Sequence, residues 1–297
     1  GGPEMNIFDP AKSRRVLRGE AAAPLNPLLN RTTAVVGYGN QGRVHAQNLA
    51  ESGVRVVVGV RSGSTSAETA RRDGFDPTNI EQATSVGDLV ILALPDEAQP
   101  GVFTSQIAPN LKPGATLGFL HGLAIRFGLI KPAPTVGVVM IAPKGPGRTL
   151  RERYVQGTGL PCLFAMHQDS PARDAESLAL AWASGIGCAR AGIIYTTFAD
   201  ETETDLFGEQ AVLCGGMTQL ILVAFETLVR AGYPPQLAYL ECCHEVKQIA
   251  DLVYQRGLAG MMKAISNTAE FGAYKSGPIV IDDHVRKNMQ QILESIR

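Results

Sequence analysis

The chain has 297 residues, 45% of them hydrophobic and 19% charged, with a formal net charge of −1. This is the composition of a globular protein with a sizeable core, and the length suits about two domains. It excludes a disordered chain, and the balanced charge leaves no basic footprint for nucleic acid or an acidic membrane surface. The five cysteines, Cys162, Cys188, Cys214, Cys242 and Cys243, lack the count and spacing of a disulfide framework, so a reducing, cytoplasmic setting is expected. Apolar runs such as "LVILALP" are too short to cross a bilayer, so no membrane partner is expected. No secretory signal is visible, and "GGPE" before Met5 is set aside as an appended segment.

In chain order, "RTTAVVGYG" reads as a strand ending in a glycine turn, and "QGRVHAQNLAESG" as a helix stopped by Gly53. "VRVVVGVR" is the next strand and "SAETARRDG" the next helix. "DLVILALP", "TLGFLHG" and "VGVVMIAPKGPG" follow as further strands. Their near-continuous Val, Ile and Leu content predicts burial on both faces, and alternation with helices predicts a parallel sheet with right-handed crossovers. "PCLFAMHQ" and "RAGIIYTTF" add strands near Pro161 and Arg190.

After Phe198 strand-like runs nearly vanish. "DLFGEQAVLCGGMTQLILVAFETLVRAG" reads as a long helix broken near Gly215 and Gly216. "PPQLAYLECCHEVKQIADLVYQRG" is a second helix, entered at proline and ended by Gly257, and "DDHVRKNMQQILESIR" is an amphipathic closing helix. The fold class expected is an α/β Rossmann-type domain over residues 1–195, followed by an all-α domain over 196–297. No internal repeat or low-complexity segment is evident.

Gly37, Gly39 and Gly42 form G-x-G-x-x-G after a strand and at a helix entrance, the context that makes this motif a dinucleotide signal. There the backbone amides can approach a pyrophosphate at a helix N-terminus. The next strand ends in Arg61, Ser62, Ser64, Thr65 and Ser66, where an NAD-binding fold often places an acid. A cation and hydroxyls suit a 2′-phosphate, so NADPH is expected over NADH. A solvated polar loop is the plain alternative.

Two acid pairs stand at helical i, i+4 spacing, Asp205 with Glu209 and Glu241 with Glu245. Together they could build an all-oxygen site for Mg²⁺. Acids at a helix start also answer the helix dipole, and each pair alone is ordinary on a solvated face. The adjacent "CCH" does not read as a zinc site: consecutive residues do not share a helix face, and no second ligand cluster has zinc spacing.

Taken in order, "GYGNQG", "LPDE", "APKGPG", "ETETDLFGEQAVLCGG", "ECCHE" and "SNTAEFG" resemble ketol-acid reductoisomerase (acetohydroxyacid isomeroreductase) of the short, class I type. The resemblance runs from about residue 33 to 282. It implies a Rossmann domain, a knotted helical domain, and a homodimer whose subunits share active sites and which assembles further in some members. It implies that Gly37, Tyr38, Gly39, Asn40, Gln41, Gly42, Arg61, Ser64, Ser66, Pro95 and Asp96 hold NADPH. It implies two Mg²⁺ ions, with Asp205 bridging, Glu209 from the same subunit, and Glu241 and Glu245 from the other. Ser266 is implied to bind the substrate carboxylate, and His121, Lys144 and Glu245 to serve catalysis. The implied substrates are 2-hydroxy-3-keto acids such as 2-acetolactate. An alkyl group migrates, and the resulting 2-keto group is reduced to a 2,3-dihydroxy acid on the way to branched-chain amino acids. On residue type alone, His121 also fits a core histidine, Lys144 a solvated loop and Ser266 a helix N-cap.

The chain departs from the family pattern at Asn40, Arg43, Ala124 and Arg148, and it stops before the family's usual C-terminal segment. Three functions stay open on this reading: the isomeroreductase itself, a paralogue with the same metals and NADPH acting on another 2-keto acid, and a non-catalytic NADPH-binding protein. The four retained acids argue against the last.

Overall fold

The structure, a computed structural model, describes residues 14–297, so the "GGPE" opening lies outside it. It divides into two compact units, which separate at Thr202/Glu203. In chain order the first unit holds β1 (Val16–Leu17), α1 (Asn26–Leu29), β2 (Thr32–Val36), α2 (Asn40–Glu51), β3 (Arg55–Gly59), α3 (Thr65–Arg72), α4 (Ile80–Val86), β4 (Leu89–Leu92) and α5 (Gln99–Val102). It continues through β5 (Thr116–Phe119), α6 (Leu123–Arg126), β6 (Gly137–Pro143), α7 (Gly147–Val155), β7 (Cys162–Gln168), α8 (Ala175–Gly185) and β8 (Ile193–Tyr195), and α9 (Phe198–Gly208) leads out of it.

The eight strands form one sheet in the order β1-β8-β7-β6-β5-β4-β2-β3. Strands β3, β2, β4, β5 and β6 are mutually parallel, as the apolar runs led one to expect. The expectation of a wholly parallel sheet needs correcting, because β7 runs antiparallel to β6, and β1 antiparallel to β8. The reason is local: the chain leaves β6 at Pro143 and re-enters β7 opposite it, at Cys162, on the same end of the sheet. The β6–β7 connection containing α7 is therefore a return and not a crossover. Alternate strand residues feed two cores, with Val35, Ile91 and Val139 meeting Trp182 of α8 on one face and Val36, Leu92, Leu117 and Phe119 on the other. Within the first core, Trp182 Nε1 donates to Nδ1 of the fully buried His45 at 2.9 Å.

The second unit is helical. Beyond α9 come a π turn (Glu209–Leu213), α10 (Gly215–Arg230), α11 (Pro235–Tyr239), a second π turn (Leu240–His244), α12 (Val246–Met262), α13 (Asn267–Val280) and α14 (Asp283–Ile296). The break expected at Gly215 and Gly216 is a π turn, closed by Cys214 N donating to Glu209 O at 2.8 Å. The widened turn draws carbonyls inward: a Cβ on Gly215 would lie 2.0 Å from the Gln210 oxygen, and one on Gly216 2.1 Å from that of Ala211. Gly257 does not end its helix; it kinks α12 with φ 69° and ψ 175°.

Large apolar side chains of this unit stand exposed, among them Val223 on α10, Tyr254 and Leu258 on α12, and Phe271 and Ile279 on α13. The continuous stretch Phe198–Arg230, 33 residues long, contains an 18-residue window of mean hydropathy 1.8, which meets the length and composition of a membrane span as the shorter runs read from the sequence did not.

Candidate active site

The first strand of the parallel set, β2, lies between β3 and β4, so the direction of strand succession reverses there. In open α/β sheets ligands settle at such a switch point, beyond the carboxyl ends of the strands. A cleft of about 380 Å³ opens at that place. Gly37, Tyr38 and Gly39 from the end of β2 line it, with Arg61, Ser64 and Ser66 beyond β3, and Pro95 beyond β4. Gly37 has φ +98°, and a Cβ there would lie 2.4 Å from Ala93 O, so only glycine allows this turn. Ser64 also starts α3, its hydroxyl accepting from Ala67 N at 3.2 Å. That hydroxyl retains its proton for a ligand.

The remaining expected cofactor contacts stand around this cleft. Gly42 follows the turn within α2, and Gln41 turns its amide toward the next loop, Nε2 donating to Gly145 O at 3.2 Å. Asp96 accepts from Gln99 Nε2 at 3.2 Å. Asn40 lines an adjoining cavity of about 520 Å³ with Arg43, Arg148 and Arg151. Two of the departures from the family pattern are explained here. Arg43 does not lend its charge to the cofactor turn: its Nε and Nη2 grip Asp73 at 2.6 and 2.9 Å, and Tyr38 donates to the same carboxylate at 3.0 Å. Burial works against ionisation of Asp73, yet the bonds from Arg43 and Tyr38 outweigh it and hold its carboxyl below the usual range. Arg148 is exposed and pairs with Glu152 one turn on. Ala124 is buried in the second core, and nothing in the structure explains the exchange there.

Beyond the same strand ends lies a polar cluster built on a residue that the sequence reading passed over. Glu201, on α9, is 1% exposed. Its carboxylate accepts from Gly122 N at 2.8 Å, meets His121 Nδ1 at 3.0 Å and receives Lys144 Nζ at 3.3 Å. His121 follows β5 and Lys144 follows β6, so the sheet presents both side chains at one edge. The close approach requires Gly122, where a Cβ would lie 2.5 Å from Thr202 Oγ1 and 2.6 Å from Phe198 O. Neither the core-histidine nor the solvated-lysine reading describes these two side chains. The signal for Glu201 was available: it precedes Asp205 by one helical turn in "ETETD".

The four expected metal acids lie in the helical unit. Asp205 is half-buried near the end of α9, and Glu209 opens the first π turn. Glu241 lies in the second π turn, and Glu245 stands at its exit. Turns of this kind recur at functional sites. Among the described residues, no cation pairs with Glu209, Glu241 or Glu245. Ser266 is the N-cap of α13, its Oγ accepting from Ala269 N at 3.2 Å. A capping hydroxyl still has a proton to donate to a carboxylate.

Residues 27–192 match the family described as acetohydroxy acid isomeroreductase, NADPH-binding domain, and residues 198–297 match ketol-acid reductoisomerase, C-terminal domain. The chain is similar to the structure of an NADH-preferring ketol-acid reductoisomerase from an uncultured archean, at 43% identity and TM-score 0.92, over 95% of this chain and 86% of that one. A semialdehyde dehydrogenase NAD-binding protein from Cupriavidus necator, solved with calcium and NAD, shares the fold at 22% identity and TM-score 0.67, over 90% of this chain and 99% of that one. A pyrroline-5-carboxylate reductase from Coxiella burnetii shares it at 16% identity and TM-score 0.58, over 90% and 95%. Two consecutive family matches spanning most of the chain, with a solved relative 43% identical, make it an oxidoreductase that belongs to the ketol-acid reductoisomerase family.

Proposed function

We propose that the chain converts 2-acetolactate and 2-aceto-2-hydroxybutanoate to 2,3-dihydroxy acids by alkyl migration and reduction, using NADPH and Mg²⁺. The observation that carries this reading is the buried Glu201, which holds His121 and Lys144 at the strand edge that also bears the dinucleotide cleft. One carboxylate binding one ammonium, one ring nitrogen and one backbone amide fixes three groups at once. Glu201 engages His121 Nδ1 and Lys144 Nζ, and an imidazole and an ammonium are both groups that can carry protons. These are the groups we assign to moving protons as the substrate hydroxyl ionises and the reduced oxygen is protonated.

Arg61, Ser64 and Ser66 are our basis for NADPH, since a guanidinium and two hydroxyls match the oxygens of a 2′-phosphate and no acid repels it. The relative described as NADH-preferring makes this the finer test: kcat/KM for NADPH should exceed that for NADH, and Arg61→Glu should reverse the order.

The four carboxylates Asp205, Glu209, Glu241 and Glu245 form an all-oxygen donor set that fits Mg²⁺, and Asp205 follows Glu201 by one turn of the same helix. A Mg²⁺ ion held by these carboxylates would supply Lewis-acid chemistry, polarising the substrate ketone and lowering the pKa of its hydroxyl. Ser266 donates to the substrate carboxylate in this reading. The exposed apolar faces of α10, α12 and α13 are assigned to a second copy of this chain, which contributes Glu241 and Glu245 to its partner's site. A membrane suits the Phe198–Arg230 stretch less well, because acids crowd its first three turns.

The test is cofactor oxidation, followed by absorbance, with 2-acetolactate and separately with 3-hydroxy-3-methyl-2-oxobutanoate, with and without Mg²⁺. Mg²⁺-dependent turnover of both is expected. Turnover of the second alone would remove the migration step from the proposal, and turnover of neither would point to another 2-keto acid.

A further inference from the structure

The residues between Gly37 and Gly42 have been treated as a cradle for the cofactor, but one of them faces elsewhere. Gln41 is the second residue of α2, and its Nε2 donates to Gly145 O at 3.2 Å. Gly145 is the neighbour of Lys144. The amide's orientation is fixed, because turning it over would set Oε1 against the Gly145 oxygen. In the fixed orientation Oε1 is buried and has no hydrogen-bond partner among the described residues. The side chain is thus anchored by a single bond, and that bond leads to the Lys144 loop.

A second contact joins the same two segments. Gly147 opens α7, and a Cβ on it would lie 2.3 Å from Asn40 O and 2.9 Å from Asn40 C. The backbone of the Lys144 loop therefore rests directly on the first residue of α2. On its other side the loop is tied to the sheet by Lys144 N donating to Pro161 O at 2.9 Å. Leu160 fills the space where a Cβ on Gly145 would stand, at 3.1 Å. The loop is held from both sides, by the sheet and by the start of α2, so a shift of the dinucleotide turn would press on the backbone that carries Lys144.

We propose that Gln41 is a positioning residue, which locks the Lys144 loop to the cofactor turn so that cofactor seating and the placement of the Lys144 ammonium are coupled. The inference rests on the role given to Lys144 in the preceding reading.

The test uses the full-length enzyme and a thermodynamic cycle. Gln41→Met keeps the length of the side chain and removes both polar atoms. Gly147→Ala disturbs the same contact from the loop side, and circular dichroism shows which variants are folded. The expected result is a fall in kcat of about tenfold or more for either variant, the scale of a small misplacement of a reacting group. The NADPH dissociation constant, from fluorescence titration, should stay within about threefold, because the phosphate-facing amides are untouched. Combined with Lys144→Arg, Gln41→Met should add less than about threefold, since coupled sites are non-additive. A weakened NADPH constant with unchanged kcat would overturn the inference and leave Gln41 a cofactor contact. Full multiplication of the two losses, with Lys144→Arg itself impaired, would also overturn the inference and leave the role of Lys144 standing. Undiminished kcat in Lys144→Met would sink the role of Lys144 and the inference with it.

Discussion

The two units of the molecule treat their polar groups in opposite ways. In the first, the acid at the centre of the site is 1% exposed, and Gly122, His121 and Lys144 reach it from the same unit. In the second, Glu209, Glu241 and Glu245 are exposed, and so are the apolar faces beside them. Exposed large apolar side chains in such number are what interaction faces carry. The contrast teaches that the first unit satisfies its buried acid from within itself. The second leaves its acids and apolar side chains exposed, and the proposal above gives these to a second copy of the chain.

The strongest way to break the comparison on the first side is Glu201→Gln. It removes the charge that holds Lys144 and leaves one acceptor oxygen to serve both His121 and Gly122 N, and kcat should fall by about a hundredfold or more, on the scale of lost acid–base catalysis. Because the dinucleotide cleft is lined by other residues, NADPH affinity should be unchanged, and a fluorescence titration checks that. On the second side, Val223→Glu places a charge on the exposed apolar face of α10. Light scattering should then show monomer in place of dimer, with turnover lost alongside. A dimer of wild-type mass would remove this face from the interface.

Smaller effects sharpen the picture of the first unit. Gly122→Ala would drive a methyl group into Phe198 O and Thr202 Oγ1, and stability should drop by about 1–3 kcal/mol as in other overpacked sites. Thermal unfolding measures it. His45 gives a pH dependence: burial pushes its pKa from 6.5 down to about 3. Below pH 6.5 the unfolded chain takes up a proton that the folded chain refuses, so this contribution to stability is full above pH 6.5 and is lost progressively toward pH 3. Denaturation midpoints across that range should fall as pH falls, and His45→Phe should flatten the slope.

Much of the first unit was legible because its signals are local. G-x-G-x-x-G after a β-branched run, and Arg61 with Ser64 and Ser66 after the next strand, located the cleft without coordinates. The direction of β7 was not legible, since a strand buried on both faces reads alike either way. Glu201 was passed over because an acid at a helix start has a ready explanation in the helix dipole. Only the fold shows Gly122, His121 and Lys144 arriving at that same carboxylate from two other connections. In the second unit, one extra residue per turn leaves the apolar pattern nearly intact, so Gly215 and Gly216 read as a break and not as the small residues a π turn requires. The i, i+4 spacing of Asp205 and Glu209 is plain in the sequence, whereas the completion of the acid set by a second copy of the chain, proposed above, has no signature in one chain's sequence.

That last point is the account's central claim, and complementation tests it most directly. Asp205→Asn and Glu245→Gln, each inactive alone, are co-expressed with different tags and the mixed dimer is purified. If each site combines Asp205 of one copy with Glu245 of the other, one site in the mixed dimer carries both changes and its twin carries neither. The account predicts that the mixed dimer recovers about half of wild-type turnover, as expected of isologous pairs. A mixed dimer as inactive as its parents would contradict it and place all four acids of each site within one chain.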